Sequence, residues 1–374
     1  MFSRVTLRHL FAASAIALPS IPMAACESQQ TSTSATVTAN TQTAVKFPEQ
    51  DYDEDLLPIA EDKERQFDFW LGEWDVQNRH LNGGQWQETG TARALIQAVA
   101  DGKAILEQWE GTARTPLHGF SVRTYDDQLD KWVIVLNWHG GQPSSFSQMH
   151  GEFGEDRGEF FPPGSGPKGV RFTFSKPRPG SCQWDQAVSS DGGQTWNMNW
   201  VMSFTRREDP TTADAGNLPI KQPPESAAAF PKSRQLDGLI GRWSGKAERL
   251  TDDGEWESGT VDFAVSSMIE GLGLICVADY SWDEHAFVAM AYDPNRGKWV
   301  SVGVNNLQDR FTWLGGTPQD ESVTLLDMRM GESTVTREVW TGLATDTVKF
   351  QREVSTDGGH AFETVLKAEF QRQD

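Results

Sequence analysis

Residues 68–76 read DFWLGEWDV, and residues 237–245 read DGLIGRWSG. An Asp, a short apolar run and then Gly-x-Trp recur, so that Gly72-Glu73-Trp74 returns as Gly241-Arg242-Trp243, 169 positions later. Four further blocks repeat in the same order. QWQETGTA (85–92) is matched by EWESGTV (255–261), and GKAILEQW (102–109) by GLGLICVA (271–278). GFSVRTYDDQLDKW, ending at Trp132, is matched by AFVAMAYDPNRGKW, ending at Trp299. SSDGGQTW (189–196) is matched by STDGGHAF (355–362). The offsets of these aligned blocks drift by only three residues, the signature of a tandem duplication. Each copy is about 140 residues, an ordinary domain length.

The boundaries follow from the repeat: one copy over 61–206, a Pro-, Ala- and Ser-rich linker over 207–233, and a second copy over 234–374. Fifteen Trp and twenty Phe, set against 34 Gly and 18 Pro, suit sheets joined by many turns, and no long stretch has helical period. Trp196, Met198, Trp200, Met202 and Phe204 alternate with more polar residues, which predicts a half-buried strand with those five on one face. Phe362, Thr364, Leu366, Ala368 and Phe370 repeat the pattern in the second copy. By parity, Arg206 and Arg372 continue these apolar faces.

SSDGGQTW also matches the Asp-box pattern of sialidase-like propellers. A propeller would repeat it every ~40 to 50 residues. Here it recurs once, 166 positions on, with Thr-Trp replaced by Ala361-Phe362. The stretch therefore reads as a hairpin in which Gly192 and Gly193 supply the turn.

A Gly-x-Trp on the first strand and an Arg ending the last strand resemble the calycin signature. The resemblance implies that Arg206 covers Trp74, and Arg372 covers Trp243, closing one end of a barrel. FDFWLGEWDVQNRHL, YDDQLDKW and WDQAVSSDGGQTWNMNWVMSFTR are similar to a bacterial family of calycin-like, nitrobindin-like domains, over nearly all of the first copy and more loosely the second. The fold class expected is all-β: two tandem antiparallel calycin-like barrels of about 8 to 10 strands each.

Residues 1–25 have the layout of a signal peptide: Arg4 and Arg8, then an apolar and small-residue run. Met23-Ala24-Ala25-Cys26 resembles a lipobox, which would make Cys26 a lipidation site and the membrane a partner only through that anchor. Ser28 is not the Asp of an inner-membrane retention signal, so outer-membrane anchoring on the periplasmic side is expected. Residues 26–60, rich in Ser, Thr and Gln, read as a flexible tether. The net charge is −20, or −22 without residues 1–25, which hold two Arg and no acid. Such an acidic chain repels nucleic acid. Cys182 and Cys276 fall in different copies and read as free thiols.

The chemistry-bearing residues are few. Nitrobindin-like relatives bind haem through a histidine, which makes haem the cofactor to weigh. His139, after the strand WVIVLNW and beside Gly140-Gly141, is the candidate at a barrel mouth, but Asn306 replaces it in the second copy. A lone strand-end His is more often a surface residue than an axial ligand, so haem is not the expected occupant. No metal motif, nucleophile elbow or P-loop is present. Trp109, Trp138, Trp184, Trp196 and Trp200, with Gln186 and Arg206 as polar anchors, suggest a cavity for a small hydrophobic or amphipathic ligand. The competing reading has these side chains plugging the first barrel while smaller residues leave room in the second. The expectation is an exported ligand-binding protein rather than an enzyme. A lipocalin-like isomerase or hydratase is the alternative, with Glu107 the carboxylate of interest, as is a structural envelope module with filled barrels.

Overall fold

In a computed structural model, the residues described are 56–112, 117–164, 169–207, 218–329 and 332–373. The expected signal peptide, most of the tether and Cys26 lie outside them, as does the first part of the linker. No helix among the described residues is long and apolar enough to cross a membrane.

Each copy closes into a ten-stranded antiparallel barrel of sequential hairpins. The first runs through β1 (Gly72–Asn82), β2 (Gln85–Val99), β3 (Ala104–Gly111), β4 (His118–Asp126) and β5 (Lys131–His139). It continues through β6 (Ser147–Phe153), β7 (Arg157–Phe161), β8 (Gly169–Arg178), β9 (Ser181–Ser189) and β10 (Asn197–Arg206). The second runs through β11 (Gly241–Leu250), β12 (Trp256–Met268), β13 (Gly273–Tyr280), β14 (Glu284–Asp293) and β15 (Lys298–Asn305). It ends with β16 (Thr312–Gly316), β17 (Ser322–Asp327), β18 (Val335–Thr341), β19 (Thr347–Ser355) and β20 (Glu363–Gln373). Pairing of β1 with β10, and of β11 with β20, leaves neither barrel with an open edge.

The closing register sets Trp74 directly opposite Arg206 and Trp243 directly opposite Arg372. In both barrels the guanidinium carbon stands 4.1 Å from the centre of the Trp ring. Arg206 donates to the carbonyls of Leu71, Phe69 and Pro179, and Arg372 to those of Ile240 and Gly238. The Trp indole N–H donates to a carbonyl four residues back, Trp70 or Leu239, at 2.8 Å. In the first barrel the segment before β1 drives Phe67 and Trp70 into the closed end, both buried. Phe67 meets Trp132, Phe153 and Phe174 edge-on. Leu236 and Leu239 fill the same places in the second barrel.

One feature departs from the period-two pattern. β10 carries an extra residue, Asn199, where its register on β9 shifts between Met198 and Trp200. β20 shifts at the equivalent Val365. A bulge turns everything before it to the other face.

The SSDGGQTW hairpin is a turn held by its own side chains. Asp191 accepts from the Thr195 backbone and hydroxyl, and Ser189 Oγ accepts from the Gly193 N–H. Gly192 and Gly193 lie at φ 79° and 86°, where other residues are strained. Ser355, Asp357, Gly358 and Gly359 repeat the arrangement.

The barrels pack side by side through the same outer face. Phe120, Val122, Val133 and Val135 of the first join Phe287, Ala289, Val300 and Val302 of the second in one buried apolar cluster. These residues are equivalent pairs in the duplication, so the contact is self-complementary, like that of a two-fold dimer. Lys103, from a turn at the closed end of the first barrel, pairs with Asp309 from a loop at the open end of the second, at 3.0 Å. At the other end Ser145 donates to Asp293 at 2.6 Å. The barrels therefore run in opposite senses.

Candidate ligand-binding site

The expected lumenal residues divide into two groups. Trp109, Trp138, Trp184 and Trp200 do meet inside the first barrel, toward its open end. Ring centroids lie 5.1 Å apart for Trp109–Trp138 and for Trp184–Trp200, and 6.5 Å for Trp138–Trp200. Phe172 packs on Trp184 and His80 stacks on Trp200. Gln186 donates to Asn199 and Trp200 to Asn78. At these spacings the indoles contact one another, and this end of the lumen is filled by its own side chains.

Trp196 is a correction. The bulge at Asn199 places it on the outside of the barrel, against Phe161 with Arg171 over its ring at 4.8 Å. Its counterpart Phe362 sits outside the second barrel under Arg337. His139 is a second correction. Trp132, Ile134 and Trp138 of β5 face the lumen, so Val133, Val135 and His139 face the second barrel. The His139 ring is 2% exposed and stacks on His118 at 5.8 Å. Its Nδ1 accepts from the Gly141 N–H, while Nε2 is buried near the Ile269 backbone without a well-formed hydrogen bond. Burial, then the neighbouring His118, pulls it down to about 4. A haem held by His139 in the first lumen does not fit, because the ring faces the other way and the lumen is occupied.

Glu107 faces the lumen, because Trp109 two residues on does so. It is 3% exposed, accepts from Ser121 Oγ at 2.7 Å and lies 3.3 Å from Arg123 Nη2. Arg123 also donates to Ser121 and is boxed by rings, 4.0 Å from Trp70 and 4.6 Å from Phe67. Burial raises the Glu107 carboxyl and Arg123 opposes it; burial lowers Arg123 to about 9. The carboxylate is committed to these two neighbours. The second barrel has Cys276, Val288 and Met290 at the three positions.

A cavity of about 250 Å³ lies where the barrels meet, at the open end of the first and the closed end of the second. Pro224, Met268 and Ile269 supply apolar wall, with Gln108 and Gln222 among the polar groups. Two polar contacts cross it. His118 Nε2 stands 3.4 Å from Glu270 Oε1, and Lys221 Nζ 3.8 Å from Glu110 Oε1. The second half of the expected linker forms part of the wall. Lys221 donates its N–H to Ser266 Oγ and accepts from the Ser267 N–H. At Gly271 a Cβ would meet Ala227 at 2.6 Å and Pro223 at 2.8 Å, so only glycine lets the linker approach. Just before it, Ile269 and Glu270 lie at φ 45° and 54°, left-handed values that are costly for a β-branched residue.

His118, Lys221 and Glu270 were not singled out by the sequence. The one available signal was WVIVLNW, apolar on both faces, which marks a strand covered on both sides and hence an outer face with a partner.

No protein-family model matches this chain, and no curated protein sequence matches it. Solved structures similar to it include a protein of unknown function from the DUF3598 family of Nostoc punctiforme PCC 73102. That match has 11% identity and a TM-score of 0.26, covering 84% of this chain and 100% of the other. Rv2717c from M. tuberculosis is 10% identical with a TM-score of 0.31, covering 38% of this chain and 98% of the other. A mutant of transferrin binding protein B from Haemophilus parasuis is 6% identical with a TM-score of 0.18, covering 81% and 77%. Likenesses at this level bear on neither ligand nor activity.

Proposed function

We propose that this is an exported, lipid-anchored protein that binds a small amphipathic molecule in the cleft between two calycin-like barrels. The observation that carries the binding site is the cavity of about 250 Å³. It approaches the size of small-molecule sites, lies at a domain junction, and combines apolar wall with a few convergent polar groups. The lumen of the first barrel is occupied by indoles in mutual contact. An apolar body would rest on Pro224, Met268 and Ile269, and a polar end would meet His118, Glu270 and Lys221. Export and anchoring rest on residues 1–25 and Cys26.

The test is native mass spectrometry of the full-length protein expressed with its own leader and extracted in mild detergent. The expected result is a reproducible adduct that disappears on unfolding and is lost in Gln108→Trp, which fills the cleft. An adduct that survives in Gln108→Trp would move the ligand elsewhere, and a bare mass in every preparation would count against tight binding. Palmitate labelling abolished by Cys26→Ala is the expected result for the anchor; labelling unchanged in that variant would remove it.

A further inference from the structure

The open end of the second barrel differs in kind from that of the first. Where the first has Trp109, Trp138, Phe172 and Trp200, the second has Ala278, Asn305, Glu338 and Leu366, and Gln186 gives way to Arg352. The closed end keeps its Trp243–Arg372 pair. The duplication has thus exchanged an aromatic plug for a polar cup at one end only.

The cup encloses a cavity of about 30 Å³, lined by Ser301, Asn305, Thr312, Glu338 and Arg352 among others. That is room for about two water-sized groups. Arg352 donates from Nε and Nη2 to Glu338 Oε1, at 3.2 and 3.0 Å, and stands 3.9 Å from Glu284 Oε1. Glu284 is fully engaged, accepting from Asn305 Nδ2 at 2.7 Å and from Trp282 Nε1 at 3.0 Å. Two groups face this space without a protein partner among the described residues. Glu338, 8% exposed, has no partner on Oε2, and the Ser301 hydroxyl, 3% exposed, has none at all. A carboxylate oxygen only accepts, so its missing partner is a donor. Two carboxylates face one guanidinium, so the charge that would complete the site is positive. Thr312 Oγ1, whose proton goes to Gln308, offers a third acceptor.

We propose that the open end of the second barrel is a receptor for a primary ammonium group. Its three N–H donors match Glu338 Oε2, Ser301 Oγ and Thr312 Oγ1, and its single charge neutralises the site. The group could be carried by a free small amine or by the end of a lysine side chain; both present the same chemistry.

Isothermal titration of the full-length protein with methylammonium chloride tests this, against tetramethylammonium chloride and sodium chloride at equal ionic strength. Saturable binding of methylammonium alone is expected, because tetramethylammonium has the charge but no N–H. Glu338→Gln and Ser301→Ala, each checked for native circular dichroism, are each expected to weaken it about ten-fold or more. Gln108→Trp, which blocks only the inter-barrel cleft, is expected to leave it unchanged. Nα-acetyl-lysine amide then separates the sources: binding means the site accepts a chain-borne amine, and failure beside methylammonium binding restricts it to small free amines. The proposal is overturned if methylammonium shows no saturable heat, if either control salt matches it, or if folded Ser301→Ala binds as the parent does.

Discussion

Glu270 Oε1, on a turn of the second barrel, stands 3.4 Å from His118 Nε2 on the first. The equivalent residues, His285 and Asp101, are related more loosely, through charge alone. Asp279 raises His285 most, and Asp101, from the matching turn of the first barrel, raises it further. Ala100 and Asp101 lie at φ 50° and 53°, as Ile269 and Glu270 lie at 45° and 54°. The duplicated halves thus exchange the same turn in both directions, but the described linker walls only the one at His118.

The left-handed Glu270 provides the first prediction. Glu270→Gly removes conformational strain of about 1 kcal/mol and gives up a partly exposed contact with His118 worth at most about 1 kcal/mol. Stability should stay within about 1 kcal/mol of the parent, while the adduct held in the cleft is weakened. Urea denaturation and native mass spectrometry check the two halves separately. A large destabilisation with an unchanged adduct would show that Glu270 holds the barrels together rather than the ligand.

His139 sets a pH dependence. Its folded value of about 4 lies below the ordinary imidazole value of 6.5, so the fold favours the neutral ring. That contribution is complete above about pH 6.5 and is lost as pH falls toward 4, up to about 3 kcal/mol. His139→Asn, the residue class found at Asn306 in the second copy, should flatten urea midpoints between pH 6.5 and 4. An equally steep fall in this variant would assign the acid sensitivity to other groups.

The closed ends of both barrels were legible in the sequence, because Gly-x-Trp and a terminal Arg are each read at one position and their parity needs no long-range information. The bulges at Asn199 and Val365 were not. One inserted residue reverses a strand's faces without disturbing the visible alternation, so Trp196 reads as lumenal although it lies outside. His139 failed for a related reason: with apolar residues on both faces of β5, the pattern cannot say which face is the lumen. The cleft was hidden because Lys221, Glu270 and His118 converge only when the barrels pack.

The Arg206 fork gives a third prediction. Arg206→Ala leaves the carbonyls of Leu71 and Phe69 without their donor and uncovers Trp74, which should cost about 2 to 4 kcal/mol. Arg206→Lys keeps the charge but cannot reach three carbonyls with a planar fork, and should still cost about 1 kcal/mol or more. Arg372→Lys should behave alike in the second barrel. Equal stability of Arg206→Lys and the parent would reduce the residue to a surface cation.

Trp109 separates a plugged lumen from an empty one. It is 0% exposed, and Ala278 occupies its place in the second copy. Trp109→Ala should cost about 3 to 5 kcal/mol and open an apolar hole beside Trp138. Small apolar molecules such as benzene should then recover part of the lost stability. If benzene raises the melting temperature of the parent as much as that of the variant, the first lumen is not filled.

The buried Glu107–Ser121–Arg123 group yields the last prediction, which turns on the difference between breaking a charge pair and replacing it. Arg123→Met alone leaves Glu107 buried with only the Ser121 hydroxyl and should destabilise by about 3 to 5 kcal/mol. The triple variant Glu107→Cys, Ser121→Val, Arg123→Met installs the second barrel's residues and removes every charge at once. It should recover most of that loss and equal or exceed the parent, since desolvating two ions costs about as much as their attraction returns. Burial already raises Glu107 and lowers Arg123, both signs that the charged forms are disfavoured there. Guanidinium denaturation of the three proteins at neutral pH decides the matter. A triple variant no better than Arg123→Met would mean that the ring box of Phe67, Trp70 and Phe174 requires the guanidinium for its packing rather than for its charge.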